Sequence, residues 1–201
     1  MRVILLPNAG TWANGYVLVQ NGLMAVVDPT PGADLPTGEP QYILFTHGHF
    51  DHIAGSPAWK KRYPHAKVLI HPQDAPKLAS SAENLSARFG QNITGPVPDG
   101  FLEDGQELPL GDITLKVIHT PGHTPGCVCF YTPGILISGD TLFSGGVGRS
   151  DLPGGDAGAL AASIREKLYV LPDDTVFYPG HGPEGQLGQE KRTNPFVRLA
   201  P

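Results

Sequence analysis

Three of the eight histidines of this 201-residue chain stand with an aspartate in one short motif, HGHFDH. Three further His or Asp residues follow much later, each where a predicted strand ends in a turn with glycine nearby. Imidazole nitrogens and carboxylate oxygens are ligands for Zn²⁺ and similar first-row cations, and no thiolate is required. The candidate metal ligands are His47, His49, Asp51, His52, His123, Asp140 and His181.

Seven donor groups exceed the three or four that one tetrahedral ion needs. They suit two ions about 3.5–4 Å apart that share a bridging carboxylate, as in two-metal hydrolases. The i, i+2 spacing of His47 and His49 directs both rings to one side of an extended segment. Asp51 and His52 fall in the next turn and can face a second ion, and Asp140 is the natural bridge. We therefore expect two divalent ions, Zn²⁺ first, with Fe or Mn also accepted.

Other polar residues at strand ends have simpler interpretations. A lone histidine in such a place is more often hydrogen-bonded and structural, and we interpret His65, His71 and His119 in this way. Asp28, which ends the run AVVD, has two equally weighted interpretations. It is either a plain turn residue or a carboxylate that orients a ligand histidine.

Composition limits the class of partner. The chain is 40% hydrophobic and 16% charged, as in globular proteins. A net charge of -5 argues against nucleic acid as the main partner. No apolar run approaches the roughly 20 residues of a membrane span, and no signal peptide is evident. Cys127 and Cys129 cannot form a disulfide framework, so we expect a cytoplasmic protein with a small-molecule partner, and a homo-oligomer is compatible with this.

The candidate ligands require strands that end close together. Apolar runs predict a strand before each of them, and the Asn21-Gly22 pair predicts a hairpin between residues 16 and 27. Helical spacing predicts helices over residues 53–62 and 156–170, the second capped by Asp156. A polar tail is expected after the last strand. These elements predict an α/β (α+β) fold, with two mixed β-sheets face to face and helices outside, in a single domain over residues 1–201.

The motifs HGHFDH, PGHTPG, SGDTLF and PGHGP resemble, in order, the signature of the metallo-β-lactamase-fold superfamily. The resemblance covers nearly the whole chain and implies an αββα sandwich with the metals at one edge between the sheets. It also implies which residues hold each ion. The first would be held by His47, His49 and His123. The second would be held by Asp51, His52 and His181, with Asp140 bridging.

Within that superfamily, the stretch GDTLFSGGVGRSDLPGGD is similar to glyoxalase II, the hydroxyacylglutathione hydrolases. The short, single-domain bacterial proteins of that group resemble this chain most. The resemblance implies hydrolysis of the thioester S-D-lactoylglutathione to D-lactate and glutathione. We expect two departures from the long enzymes: no helical C-terminal domain like theirs, and no helix in the stretch before His47, which is rich in Pro and Gly.

The expected chemistry is metal-assisted acyl hydrolysis, with Asp51 as the candidate to orient the attacking water. Arg149 aligns with a basic thiol-carrier contact of glyoxalase II. Its two interpretations are a fork to a substrate carboxylate and a structural salt bridge. Lys191 is a second candidate substrate contact, against the alternative of a solvated basic tail.

The sequence leaves three other functions open. A persulfide dioxygenase has a similar fold and a similar GxGR stretch, but uses a single iron and O₂. A lactonase would use the same dinuclear centre on a cyclic ester. A metal-binding module without catalysis is the third, and the complete set of ligands disfavours it.

Overall fold

The computed structural model describes residues 1–7, 12–32 and 38–199. The chain divides into two compact units. Unit 1 comprises Met1–Leu102 with Pro109–Thr114, and unit 2 comprises Glu103–Leu108 with Leu115–Pro201. The expectation of a single domain stays a prediction.

One mixed sheet of six strands is formed in chain order, β1 to β6. The strands are β1 (Arg2–Leu5), β2 (Tyr16–Gln20), β3 (Leu23–Val27), β4 (Pro40–Leu44), β5 (Lys67–Ile70) and β6 (Gly100–Phe101). The first three pair antiparallel, and the predicted hairpin turns at Asn21-Gly22. The strands from β3 to β6 pair in parallel, so that their carboxyl ends lie at one edge of this sheet.

Short helices follow the parallel strands of unit 1. They are α1 (Phe50–Ile53), α2 (Ser56–Arg62), α3 (Ala75–Ala79) and a 3₁₀ turn (Ser86–Phe89). The prediction of one helix over residues 53–62 is wrong at its start, because a helical turn already begins inside the HGHFDH motif. Gly55 separates the two helices and donates its N–H to the Pro29 carbonyl at 3.0 Å.

A second mixed sheet has the order β14-β13-β10-β9-β8-β7. Its strands, with a small hairpin of β11 and β12, are β7 (Glu107–Leu110), β8 (Ile113–His119), β9 (Val128–Thr132), β10 (Ile135–Gly139), β11 (Leu142–Phe143), β12 (Gly146–Val147), β13 (Val176–Pro179) and β14 (Gly185–Gln186). β10 and β13 are parallel neighbours although 36 residues separate the end of one from the start of the other by the numbering. The remaining pairs described, β8 with β9, β9 with β10 and β13 with β14, are antiparallel.

The helices of unit 2 are α4 (Ala157–Ala162), which continues as a π-helical segment (Ser163–Leu168), and α5 (Leu187–Thr193). The Asp156 carboxylate accepts the Ala159 N–H at 2.9 Å, so the predicted cap is confirmed. The polar tail is a wrong prediction, since it contains β14 and α5. Leu187 and Glu190 of α5 are buried, and the Glu190 carboxylate accepts the Gly145 N–H.

Each unit has its own apolar core in which strand residues meet helix residues. In unit 1, Val26, Ile43 and Val68 pack with Trp59 and Leu78. The neighbouring strand residues Val27 and Leu44 are buried as well, which is the nearly continuous burial typical of parallel strands.

In unit 2, Cys129, Leu136 and Phe177 pack with Leu160 and Ile164. Both cysteines are buried, and neither forms a disulfide. Burial raises the pKa of the Cys129 thiol to about 11. Among the described residues, no helix is long and apolar enough to cross a membrane.

Candidate metal centre

The HGHFDH motif lies directly after β4, at the carboxyl end of a parallel strand. His47 Nε2 lies 3.1 Å from His49 Nδ1, and both side chains are buried. Two nitrogens that bind one tetrahedral ion at 2.0–2.1 Å lie about 3.3 Å apart, so this separation fits a shared cation. The His52 ring is 4.0 Å from that of His47, centroid to centroid. The Asp51 carboxylate lies 4.0 Å from His52 Nε2 and is partly exposed.

A single carboxylate, that of Asp28, sets the orientation of two histidines. It accepts the Thr46 hydroxyl at 2.6 Å and the Thr46 N–H at 2.8 Å. It also lies 2.8 Å from His52 Nδ1, so the proton of that ring belongs on Nδ1 and the lone pair on Nε2. The Thr46 hydroxyl gives its proton to Asp28 and is left to accept from His47 Nδ1 at 3.2 Å. Both rings therefore present Nε2 as an electron-pair donor.

Asp28 is consequently not a plain turn residue. It is buried, and its backbone has a φ of 49°, a conformation that costs a residue other than glycine on the order of 1 kcal/mol. Its contact with the candidate ligand His52 fits the second of the two interpretations, and the metal-orienting role itself stays a prediction.

The glycine between His47 and His49 is held on its other side. The Gly48 N–H donates to Asp74 Oδ2 at 2.8 Å, and Lys77 Nζ neutralises the same buried carboxylate at 3.0 Å. A Cβ added at Gly48 would lie 2.6 Å from the Lys77 Cβ. Only glycine therefore allows the backbone between the two histidines to pass this close to Lys77 of α3.

In unit 2, the ends of three strands bring His123, Asp140 and His181 together. β10 and β13 are aligned with Gly139 opposite Pro179, so the residues that follow them emerge side by side. Asp140 Oδ2 lies 3.5 Å from His123 Nε2 and 3.6 Å from His181 Nε2. A single carboxylate oxygen nearly equidistant from two imidazole nitrogens fits a ligand shared between two cations. The His181 side chain is 42% exposed and provides an open side.

The loop after β12 positions His123 through its backbone. His123 Nδ1 lies 2.7 Å from the Arg149 carbonyl oxygen, an acceptor only, so this nitrogen carries the proton and Nε2 the lone pair. A Cβ added at Gly148 would lie 1.8 Å from the Asp140 carbonyl oxygen and 3.2 Å from the His123 Cβ. This glycine therefore packs against both candidate ligands.

The two predicted substrate contacts have partners of their own. The Arg149 guanidinium forms a two-bond fork with the Asp151 carboxylate, at 2.8 Å for each bond. This pair raises the pKa of Arg149 and lowers that of Asp151 to about 2. Lys191 Nζ donates to Asp173 at 2.6 Å and to the Leu171 carbonyl at 2.7 Å. It borders a cavity of about 670 Å³ that none of the seven candidate ligands lines. Substrate contact by either residue stays a prediction.

The donor set fits divalent cations. The seven side chains are the candidate metal-holding donors among the residues that the structure describes. In His47, His52 and His123 the partner of Nδ1 places the proton on that nitrogen and the lone pair on Nε2, which is the form a metal binds. Nitrogen and carboxylate oxygen donors suit Zn, Fe and Mn alike, so they do not select one metal. The assignment of ligands to individual ions stays a prediction.

Several positioning residues were missed by the sequence reasoning. They are Thr46, Asp74, Lys77 and Gly148. The only local signal was glycine next to candidate ligands, in HGH and in GVGR, where close backbone approach is expected. His119, by contrast, is structural as predicted, since its Nε2 lies 2.8 Å from the Pro125 carbonyl oxygen.

Comparison with known proteins identifies the family of this chain. The model of the metallo-beta-lactamase superfamily matches residues 13–181. A probable metallo-hydrolase of Bacillus subtilis, YqgX, is 36% identical, over 96% of this chain and 95% of its own length. The hydroxyacylglutathione hydrolase GloC of Haemophilus influenzae is 38% identical, over 77% of this chain and 74% of its own length.

Solved structures agree on the fold. The crystal structure of the BLEG-1 B3 metallo-beta-lactamase has a TM-score of 0.90 at 36% identity, covering 98% of this chain and 99% of that protein. TTHA1623 in a di-iron-bound form has a TM-score of 0.83 at 37% identity, covering 98% and 100%. The predicted fold class, two mixed sheets with helices in an α/β sandwich fold, is confirmed. With these motifs, this fold and this match over most of its length, the chain belongs to the metallo-β-lactamase superfamily.

Proposed function

We propose that this member of a metallo-hydrolase superfamily is a dinuclear thioester hydrolase, with S-D-lactoylglutathione as its substrate and D-lactate and glutathione as products. The observation that carries the proposal is Asp140 Oδ2, at 3.5 Å and 3.6 Å from two histidine nitrogens. One ion would be held by His47, His49 and His123, and the other by Asp51, His52 and His181. Asp140 would bridge them.

Zn²⁺ is the first candidate metal, and the di-iron form of TTHA1623 keeps iron as an alternative. When bound, two such ions lower the pKa of a water to about 7 and polarise the substrate carbonyl. The protein itself holds the donor nitrogens in place through Asp28 and Thr46. The partly exposed Asp51 carboxylate can accept a hydrogen bond from the attacking water and so orient it.

Substrate recognition is assigned to groups near the open side. The half-exposed His181 leaves room for a substrate to enter. Arg149 and Asp151 are both mostly exposed, and an exposed ion pair contributes little free energy. A substrate carboxylate can therefore replace Asp151 on the guanidinium fork at small cost.

The likeness to GloC supports the thioester, since that relative is named a hydroxyacylglutathione hydrolase. The close likeness to a B3 metallo-beta-lactamase favours a second candidate, hydrolysis of a β-lactam. Both reactions are acyl hydrolyses, so the same metal centre serves either, and activity must decide.

The test combines metal analysis with an activity panel of S-lactoylglutathione, glutathione persulfide, a lactone and a β-lactam. We expect two metals per chain and fastest turnover of the thioester. Asp140→Ala should lose one metal and at least 100-fold in activity, because a displaced bridging ligand disrupts both ions. Asp174→Ala, which removes an exposed carboxylate of the same unit, should keep both metals and full activity.

Full thioester hydrolysis by the metal-free protein or by Asp140→Ala would contradict the proposal. One iron per chain with oxygen uptake would identify the persulfide dioxygenase instead.

A further inference from the structure

An aromatic cluster adjoins the metal motif in unit 1. It consists of Trp12, Phe50 and Phe89. The rings of Trp12 and Phe50 meet edge to face at 6.2 Å, and those of Phe50 and Phe89 lie 5.1 Å apart, centroid to centroid. These separations are within the range of stabilising aromatic pairs, about 4.5–7 Å. Phe50 stands between His49 and Asp51 in the chain, so the cluster begins inside HGHFDH.

The outer ring of this cluster remains in solvent. Phe89 is 66% exposed, although its ring lies 5.1 Å from that of Phe50. Ligand sites are lined mainly by aromatic and apolar side chains, and this cluster joins the candidate ligands through Phe50, the chain neighbour of His49 and Asp51.

A firmly anchored loop holds Phe89 in this position. The buried Asn84 side chain donates to the carbonyls of Lys77 at 3.0 Å and Ile93 at 2.8 Å. Its Oδ1 accepts the Ser86 N–H at 3.0 Å, and its own carbonyl accepts the Phe50 N–H at 3.0 Å. The loop is thus tied to the start of α1 and delivers Phe89 to Phe50.

We propose that Trp12, Phe50 and Phe89 bind the acyl side chain of the substrate and select thioesters with an apolar or aromatic acyl group. The inference rests on the proposed function and deepens it. A scissile carbonyl held at the candidate ligands lies close to Phe50, the chain neighbour of His49 and Asp51, and through Phe50 to the rest of the cluster. Aromatic faces cannot satisfy the carboxylates and amides of a thiol carrier such as glutathione, whereas they match an apolar acyl group.

The test uses two substrates that differ only at the hydroxyacyl carbon, S-mandeloylglutathione with a phenyl group and S-lactoylglutathione with a methyl group. Wild-type protein should have a higher kcat/KM for the mandeloyl substrate. Phe89→Ala should lower the mandeloyl-to-lactoyl ratio about tenfold, the lower range for losing apolar contact in a pocket. Phe89→Tyr keeps the ring and should restore the ratio.

A matched control is Phe196→Ala, because Phe196 is exposed to a similar extent, 64%, but follows α5 and is not part of the aromatic cluster. It should leave the ratio unchanged. A second arm compares mandeloyl thioesters of glutathione and coenzyme A, and Phe89→Ala should lower both by the same factor. If the loss depends on the thiol, or is equal for lactoyl and mandeloyl groups, the proposal is wrong.

Binding of the free acids, measured by calorimetry, separates this inference from the proposed function. Mandelate should bind more tightly than lactate to wild-type protein, and Phe89→Ala should reduce the difference. Tighter mandelate binding without thioester hydrolysis would support the acyl site and contradict the thioester function. Thioester hydrolysis without any preference between the two acids or the two thioesters would support the thioester function and contradict the acyl site.

Discussion

At the scale of single residues, the candidate ligands depend on neighbours with no metal-binding role of their own. Asp28 reaches His52 directly and His47 through the Thr46 hydroxyl. Each of these hydrogen bonds selects the ring tautomer whose Nε2 can donate to a cation. One buried carboxylate thereby sets the tautomer of two candidate ligands, and its backbone strain is maintained by the structure around it.

Replacement of Asp28 by asparagine tests this role. The amide has one acceptor oxygen and one donor nitrogen, so it cannot accept from Thr46 and His52 as the carboxylate does. We expect metal affinity, measured by competition with a chelator, to fall 10–100-fold, the usual effect of losing a partner of a metal ligand. Asp112→Asn, at an exposed carboxylate bonded to Gln20, is the control and should bind metal as wild type does. Unchanged affinity in Asp28→Asn would refute the orienting role.

At the scale of elements, candidate ligands follow strand ends, and the loops beyond the strands position them. β4 leads into HGHFDH, while β10 and β13 lead into Asp140 and His181 as parallel neighbours. The short β11–β12 hairpin then brings the chain back so that the Arg149 carbonyl meets His123. The close passage of Gly148 along Asp140 makes this return possible.

A methyl group at Gly148 should therefore disturb the centre. Gly148→Ala places its Cβ 1.8 Å from the Asp140 carbonyl oxygen, and the loop must move by about 1 Å to relieve the clash. A displacement of that size costs on the order of 100-fold in rate, and we expect a loss of bound metal as well. Gly146→Ala is the matched control, because its Cβ meets nothing closer than 3.6 Å. Equal metal content and turnover in both variants would show that the loop is tolerant.

At the scale of the whole molecule, each of the two units contains its own residue type with which its unfolding can be followed. Both tryptophans of the chain, Trp12 and Trp59, belong to unit 1, and both cysteines, Cys127 and Cys129, belong to unit 2. The pKa of Cys129, raised to about 11 by burial, keeps its thiol protonated and unreactive at pH 8 until unit 2 unfolds. Tryptophan fluorescence and thiol labelling therefore follow the unfolding of the two units independently.

We expect the two unfolding transitions of the metal-loaded protein to coincide in denaturant. If the seven ligands form one centre, as proposed, chelation must lower both midpoints together. Free metal at 100 times its Kd stabilises the folded state by about 2.7 kcal/mol, and chelation should lower the free energy of unfolding by this amount. His65→Ala, at an exposed histidine outside the ligand set, should respond to chelation as wild type does. A chelator that shifts only one transition would show that the metal is held by one unit.

The sequence alone determined the kinds of donor, their order along the chain and most of the strands that precede them. These features are local: a ligand type is a property of one residue, and a strand is a property of a short apolar run. The hairpin at Asn21-Gly22 and the cap at Asp156 were predictable for the same reason.

Only the tertiary structure decided which groups support the donors. Asp28 meets His52 across 24 residues, and His123 meets the Arg149 backbone across 26, distances at which no local pattern reports a contact. The structure also gives the backbone and the side chain of Arg149 different partners: the carbonyl oxygen orients His123, and the guanidinium pairs with Asp151. The segment predicted as a polar tail contains the helix α5. Folding buries its Leu187 and Glu190, and the sequence of that segment does not reveal this burial. Residue type set the chemistry available to this protein, and long-range packing set the geometry in which it can act.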